Sequence, residues 1–422
     1  MKKFLIALII FIFSANVACA EKNLDFEDAR MRLICALCSL SSYSGNESVL
    51  TREMLFSRGW RINAVEARNK RANAKAYLIS REFEDNHKVK ILVIAGTEDL
   101  KDVEVDFRIG KVSLHEGEEN ILVHRGFRDY ADTALSGGVK EVLVDELKNN
   151  PAETLYITGH SLGGAVALIS AIRLIDAGVD KNQIKVITFG APAIGNRALA
   201  DAYESKIDLT RIGISGDIIK KSLQVLGYVH FGNYLNYKVE KADNHYPHDM
   251  ELYLECALKN YYDNGGFESL LDVDTKNKID TPVYVAPLKI LQKSFSPNDQ
   301  KYILAFLNDG LKSRLTNLTF AEPRFTEIKK SDQISYHVTE FIKPAKEAGC
   351  KYILVQFLGA QTVKESQQRE TRVTLDEMIF DLNGSLLSMQ TSRPTTENLT
   401  IIEAAAFAQE HLRNHREKIF NQ

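Results

Sequence analysis

Leu155-Tyr156-Ile157-Thr158-Gly159-His160-Ser161-Leu162-Gly163-Gly164-Ala165-Val166-Ala167-Leu168-Ile169 is the stretch whose reading decides the fold. The apolar run 155–158 predicts a buried strand, residues 159–163 form a Gly-x-Ser-x-Gly turn, and residues from 165 onward predict a helix to about Gly178. Glycines flank Ser161 because a side chain at either place would collide in so tight a strand-to-helix turn. The turn is expected to leave the serine hydroxyl exposed at the top of a sheet. The helix N-terminus behind it favours negative charge there. Such a motif also occurs in turns with no chemistry, so its meaning rests on partners elsewhere in the chain.

Strand-like segments lie on both sides. Residues 76–79 and 89–94 are apolar, and Glu84-Asp85-Asn86-His87 between them has turn chemistry, which predicts a β-hairpin. The second of these strands runs into Ala95-Gly96-Thr97, a place where a main-chain N–H can face an oxyanion. Residues 103–109 alternate strictly, the period of a half-buried strand. A helix is expected after Val123-His124-Arg125-Gly126-Phe127, running to about Asn149. Residues 184–190 and 209–214 read as strands, the latter ending in Ser215-Gly216-Asp217. Residues 227–232, which carry His230, read as another. Near the start, residues 24–43 read as an amphipathic helix broken by Tyr43-Ser44-Gly45-Asn46, and residues 50–60 as a second helix leading into a strand. Strands alternating with helices call for a mostly parallel sheet with its chemistry at the carboxyl ends of the strands. Ser161 and Asp217 both lie just past such ends.

A length of 422 residues leaves room for two domains, and an apolar fraction of 45% is ordinary for a globular chain. A net charge of −3 argues against a nucleic-acid-binding surface. Lys2 and Lys3 precede the apolar run 4–13, and Ala18-Cys19-Ala20 fits small-x-small cleavage. Residues 1–20 are therefore expected to be a signal peptide and Glu21 the new N-terminus. The apolar run is too short to span a bilayer. Export to the periplasm or the medium is the consequence. Lipoprotein processing at Cys19 is the weaker alternative, because Asn16 stands where such signals usually carry Leu. Export permits disulfides among Cys35, Cys38, Cys256 and Cys350. Cys35 and Cys38, however, sit in an apolar helical stretch and read as buried free thiols. No further ligands accompany them at metal spacing.

A serine hydroxyl needs a histidine to take its proton, and that histidine needs an orienting acid. Asp217 is the natural acid, since it follows a strand and a glycine turn; the competing role is an N-cap for the next helix. The bases available after it are His230, His245 and His248. His230, inside its strand, reads as a packed histidine. His248 opens Asp249-Met250-Glu251-Leu252-Tyr253-Leu254 at a loop-to-helix junction, and His245 lies too close to set aside.

Residues from about 30 to 262 resemble the class 3 lipases, the family of fungal triacylglycerol lipases and many plant and bacterial relatives. The matching pieces occur in the family's order: Ile94-Ala95-Gly96-Thr97, Val123-His124-Arg125-Gly126-Phe127, Gly159-His160-Ser161-Leu162-Gly163-Gly164, Phe189-Gly190-Ala191-Pro192 with Gly195-Asn196, Ser215-Gly216-Asp217-Ile218-Ile219, Tyr228-Val229-His230-Phe231-Gly232 and His248-Asp249-Met250-Glu251-Leu252-Tyr253. The resemblance implies an α/β-hydrolase fold with a mostly parallel sheet. It implies Ser161, Asp217 and His248 as the catalytic set, which favours His248 over His245, and main-chain N–H groups of Leu162 and Thr97 as the oxyanion hole. It implies no metal or organic cofactor. His124, expected beneath a lid, and His160, in the elbow, read as structural. Two departures matter. Ala95 replaces the arginine of a Phe-Arg-Gly-Thr pattern, which bears on loop geometry rather than chemistry. The segment between Thr97 and Val123, where a lid falls, is charged and alternating, so esters of smaller or more polar lipids, lysophospholipids included, fit as well as triglycerides.

Past Tyr261-Tyr262-Asp263-Asn264-Gly265-Gly266 the character changes. The expected organisation is a signal peptide over 1–20, a lipase-like α/β-hydrolase domain over 21–265, a polar linker over 266–281 and a smaller α/β domain over 282–422. In the last, strands are expected at 283–288, 351–359, 372–381 and 385–389, with helices over about 297–314, 331–348 and 397–418. Its Gly349-Cys350-Lys351-Tyr352-Ile353-Leu354-Val355 strand and its Asp381-Leu382-Asn383-Gly384-Ser385-Leu386-Leu387 hairpin make it faintly similar to the amino-terminal domain of TolB and to CsgG-like lipoproteins. No catalytic constellation is legible there. The expected function is that of an exported serine hydrolase cleaving carboxylic esters of lipids through an acyl-enzyme. An envelope binding or assembly protein with a vestigial hydrolase domain, or an acyltransferase or thioesterase on the same triad, remain as alternatives. The expected partners are a lipid or acyl-ester substrate, a membrane surface in transient contact and an envelope partner for the C-terminal domain, with no nucleic acid.

Overall fold

The structure is a computed structural model and describes residues 25–43, 55, 59–68, 73–82, 88–96, 110–239, 246–266, 278–329, 338–365, 368–396 and 399–421. Residues 1–20, expected to be a signal peptide, Thr97, the alternating segment 103–109, His245, most of the helix expected over 50–60 and most of the linker expected over 266–281 lie outside these residues. The chain divides into two compact units. The first is made chiefly of Trp60–Lys241 and Pro247–Ser269 with the amino-terminal segment through Ser44, the second chiefly of Leu270–Gln422.

The strands of the first unit are β1 (Arg61–Arg68), β2 (Asn73–Glu82), β3 (Lys88–Ile94), β4 (Lys111–Ser113), β5 (Leu122–His124), β6 (Thr154–His160), β7 (Ile184–Phe189), β8 (Asp208–Ile214) and β9 (Asn233–Tyr237). Seven form one sheet in the order β1-β2-β3-β6-β7-β8-β9, while β4 and β5 pair apart. β1, β2 and β3 are antiparallel neighbours. From β3 through β6, β7 and β8 to β9 every pairing is parallel. The helices are α1 (residues 25–40), α2 (Arg125–Ala134), α3 (Val139–Asn149), α4 (Leu162–Asp176), α5 (Arg197–Tyr203) and α6 (Met250–Tyr261).

Burial explains the apolar runs. The last four residues of β3 and of β6 are all buried, as a parallel strand covered on both faces requires. In α4, eleven of fifteen residues are buried, which is why its sequence is apolar nearly all round rather than striped. Val166, Ile169 and Ile172 of this helix join Leu92, Ile94, Ile157, Val123 and Phe127 in the main core. Each such side chain, fully buried, contributes about 1.5–3 kcal/mol.

Two expectations need correction. The helix expected to run unbroken to Asn149 is two helices. Gly137 and Gly138 adopt φ of 67° and 90° between them, a left-handed geometry that stops α2 and lets α3 start in a new direction. His230 is not on a strand. Val229 makes a single bridge to Gly195, Gly232 turns the chain at φ 77°, and β9 begins only at Asn233.

The second unit contains β10 (Val283–Val285), β11 (Leu288–Leu291), β12 (Leu318–Phe320), β13 (Phe325–Ile328), β14 (Tyr352–Glu365), β15 (Gln368–Asp381) and β16 (Leu386–Ser392), with helices α7 (Pro297–Lys312), α8 (Thr339–Glu347) and α9 (Ile401–Phe420). β10 and β11 lie along one side of β14 and are separate strands because Pro287 between them has no N–H for a ladder. They pair parallel with β12, β13 and β14, whereas β14, β15 and β16 are antiparallel. Of the helix expected over 331–348, the described part is α8; residues 331–337 lie outside. Val355, Met378 and Phe380 pack with Ala345 of α8, while Leu354 and Ile379 pack with Leu311 of α7 and Phe420 of α9.

Candidate active site

β3, β6, β7 and β8 end side by side, and each delivers one part of the site. β6 runs through His160 into Ser161, whose backbone has φ 56° and ψ −126°. Positive φ at a residue with a side chain is strained, and the surroundings hold it there. Ser161 N–H donates to the Phe189 carbonyl at 2.9 Å, and its own carbonyl accepts from the N–H groups of Gly164 and Ala165. A Cβ at Gly159 would lie 2.5 Å from the Gly163 carbonyl carbon, and one at Gly163 only 2.3 Å from the Ile94 carbonyl oxygen. The flanking glycines are therefore demanded by main chain packed against main chain. Leu162 opens α4, so its N–H belongs to the orphan first turn of a fifteen-residue helix. Thr97, the other expected oxyanion donor, lies outside the described residues.

β8 ends at Ile214, and Asp217 follows a turn through Gly216 (φ 96°). His248 precedes α6. Its Nε2 is 2.8 Å from Ser161 Oγ, and its Nδ1 is 2.9 Å from Asp217 Oδ2. The three sequence candidates are thus brought together in one hydrogen-bonded row. They are also buried: Ser161, Asp217 and His248 are 1%, 2% and 0% exposed. This corrects the expectation of an exposed serine.

Asp217 has more partners than the sequence suggested. Oδ1 accepts from Ile219 N–H at 2.9 Å, so the carboxylate caps the following turn as well as facing His248; the two readings of Asp217 are compatible. Oδ2 also accepts from the Tyr253 hydroxyl at 2.5 Å. The Tyr253 oxygen in turn accepts from Ile214 N–H at 3.3 Å. Burial first, and the Asp217 charge next, hold the Tyr253 phenol well above its usual range, which keeps it a donor. Gly190, at the end of β7, closes the arrangement. A Cβ there would lie 2.9 Å from Asp217 Oδ2, 2.9 Å from the Tyr253 oxygen and 3.0 Å from His248 Cε1.

His160 was expected to be structural, yet its ring centroid lies 4.6 Å from that of His248 and 5.6 Å from that of Tyr253. Tyr43 approaches its Nδ1 at 2.6 Å. Burial, then the His248 charge, hold His160 well below its usual range, against a weaker main-chain contribution from His248. His124 does a different job: its Nδ1 caps α2 by accepting from Phe127 N–H. Burial lowers it to about 4. Cys35, Cys38 and Cys350 are buried free thiols and Cys256 is half-buried. Among the described residues no group of three or more His, Cys, Asp or Glu is arranged to hold a metal ion. The sequence reading missed Tyr43 and Tyr253. The signal for Tyr253 was its place one turn into the helix that His248 introduces. Tyr43 had none, because it stood in a segment legible only as a helix break.

Ser161 in a strained strand-to-helix turn, between the ends of parallel strands, defines an α/β-hydrolase fold with a nucleophile-elbow geometry. The sequence model of the family described as Lipase (class 3) matches residues 91–226. Lipase ZK262.3 of Caenorhabditis elegans is 43% identical over 67 residues, 15% of this chain and 19% of that protein. Phospholipase A1-II 1 of Oryza sativa subsp. indica is 30% identical over 141 residues, 31% of this chain and 36% of that protein. The chain therefore spans only about a fifth to about a third of the length of these curated relatives. Among solved structures, the triacylglyceride lipase of Rhizomucor miehei aligns over 51% of this chain and 81% of its own, with 20% identity and a TM-score of 0.43.

Proposed function

We propose that the chain is an exported serine hydrolase, sent to the periplasm or the medium by residues 1–20, that cleaves carboxylic esters of lipids. The single observation that carries this reading is the unbroken row from Ser161 Oγ through His248 to Asp217, with contacts of 2.8 and 2.9 Å. The match of residues 91–226 to the class 3 lipase family supports the lipid ester as substrate class. The reading assigns Ser161 as nucleophile, His248 as base and then acid, Asp217 as the orienting acid, and the N–H groups of Leu162 and Thr97 as the oxyanion hole.

In this mechanism Ser161 Oγ attacks the ester carbonyl carbon while its proton passes to His248 Nε2. Asp217 holds the other ring nitrogen and stabilises the imidazolium. The carbonyl oxygen becomes an oxyanion facing the start of α4, where one donor typically lowers the barrier by about 3 kcal/mol. The tetrahedral species expels the alcohol, which takes the proton from His248. Water then attacks acyl-Ser161, again giving its proton to His248; the acyl–Oγ bond breaks, Ser161 Oγ takes that proton back, and the carboxylic acid leaves. Tyr253 and Ile219 N–H hold the carboxylate still through both steps. For residues 282–422 the proposal is a binding role toward an envelope partner rather than a catalytic one.

The test is labelling with a fluorophosphonate, followed by hydrolysis across p-nitrophenyl esters, lysophospholipids and acylglycerols. Wild-type protein is expected to label and to hydrolyse at least one lipid class, and Ser161→Ala to do neither. A folded wild-type protein that stays unlabelled sinks the reading.

A further inference from the structure

His248 needs its ring held in one plane and one tautomer, and Asp217 grips only one edge of it. The other flank is formed by His160, 4% exposed, whose ring lies against that of His248. A neutral imidazole has one donor and one acceptor nitrogen. At His160 Nδ1 the Tyr43 hydroxyl sits at 2.6 Å. Nε2 has no well-formed partner among the described residues, and the main-chain group that acts on the ring is that of His248. Tyr43 is thus the strong determinant of the His160 tautomer. With Tyr43 as the donor at Nδ1, the arrangement proposed below, the His160 proton sits on Nε2, facing the main chain of His248.

Tyr43 is itself firmly placed. It follows α1 in a turn closed by Tyr43 N–H to the Leu40 carbonyl, and Ser39 Oγ lies 3.3 Å from Thr158 Oγ1 of β6. The phenol tip also fills the space over Gly96, where a Cβ would lie 2.4 Å from the hydroxyl oxygen. One hydroxyl therefore touches both the histidine beside the base and the strand end that leads to Thr97.

We propose that Tyr43 and His160 form a second support for His248, in which Tyr43 is a positioning residue: its hydroxyl fixes the tautomer of His160, and His160 fixes the ring and main chain of His248 from the side Asp217 does not reach. This rests on the reading of Ser161 as a hydrolase nucleophile. A neutral, tautomer-locked His160 also matters electrostatically, since a second imidazolium beside His248 would oppose the charge that His248 must carry in the transition state. The ionisable groups facing His160 and His248 are Tyr43 after α1, Ser161 after β6, Asp217 after β8 and Tyr253 on α6.

The experiment uses the full chain with a soluble short-chain p-nitrophenyl ester and a fluorophosphonate. Tyr43→Phe keeps the ring and removes the donor. It is expected to lower kcat and the labelling rate about tenfold, a part of the about 10²–10⁴-fold that a positioned base supplies, with KM within about twofold. His160→Gln retains a donor near the Nε2 position and loses the acceptor at the Nδ1 position, where Tyr43 sits. Adding Tyr43→Phe to it is expected to cost no further activity, because the two residues act as one unit. Tyr43→Phe with wild-type kcat and labelling rate overturns the proposal, as does a Tyr43→Phe loss that is undiminished in the His160→Gln background. If wild-type protein fails to label at Ser161, it is the hydrolase reading that fails instead.

Discussion

Gly190→Ala tests whether the site is held by close-packed main chain. An alanine Cβ at this position would lie 2.9 Å from Asp217 Oδ2 and from the Tyr253 oxygen, and 3.0 Å from His248 Cε1, whereas ordinary contact begins at 3.4 Å. The acid, its tyrosine and the base must therefore retreat together by about half an ångström. A misplacement of about 1 Å can cost about 10²-fold in rate, so a shift half as large is expected to lower kcat by about tenfold. Separately, φ at Gly190 is 59°, and an L-residue there costs about 1–2 kcal/mol of stability. Gly117→Ala separates the two effects. Its φ is 88° and nothing lies within 4 Å of the Cβ position, so it should cost comparable stability and no activity. The assay is kcat on a soluble ester, with unfolding in denaturant measured on both variants. Gly190→Ala with wild-type kcat, or Gly117→Ala with an equal loss of kcat, refutes the claim that steric closure at Gly190 sets the triad geometry.

Asp217→Asn should reduce kcat by about 10⁴-fold on the pattern of such triads, measured by steady-state hydrolysis, while fluorophosphonate labelling slows without vanishing. For His124 the sign runs toward acid instability. Burial lowers it from 6.5 to about 4, so between those pH values the unfolded chain binds a proton that the folded chain refuses. Stability is then full above 6.5 and falls by up to about 3 kcal/mol as pH drops toward 4. His124→Asn keeps an N-cap acceptor without the titration, so its stability difference from wild type should shift with pH over that window. An unfolding free-energy difference between the two proteins that is the same at pH 7 and pH 5, measured by urea unfolding, would contradict this. In the second unit, Arg416 Nη1 meets Glu377 Oε2 at 2.5 Å with both side chains 3% exposed. Arg416→Met strands a buried carboxylate and should cost about 3–5 kcal/mol, read by the same unfolding measurement.

The parallel core of the first unit was legible because its strands are apolar runs bounded by glycine and polar turns, and because α4 follows the elbow directly. Ser161, Asp217 and His248 were legible as candidates because each stands at an element end, where a run of one period stops. The break at Gly137-Gly138 was missed because residues 139–149 continue a helical pattern, and periodicity does not record a change of axis. His230 was misplaced because aromatic residues around it imitate a strand, while the deciding feature is a positive φ at Gly232. Tyr43 and Tyr253 were not legible as partners. Their hydroxyls meet groups 117 and 36 positions away in the chain, and no local pattern encodes such a meeting.

The burial of the triad and the glycines around it point to one physical cause. Four glycines, Gly96, Gly159, Gly163 and Gly190, sit where a Cβ would lie within 2.9 Å of another part of the site: a carbonyl oxygen of the adjoining main chain, or the side chains of Asp217 and Tyr253. Main chain brought this close cannot drift without breaking several contacts at once. Ser161 is then held at φ 56° by its neighbours rather than by its own preference, and strain that the surroundings over-determine is a means of preorganisation. The polar side chains answer the same demand. Asp217 receives His248, Tyr253 and Ile219 N–H on its two oxygens, and His248 is flanked by His160. Relaxing any one of these groups is therefore expected to move the base relative to Ser161 before it unfolds the domain, so variants at Tyr43, Gly190 and Tyr253 should lose rate out of proportion to stability.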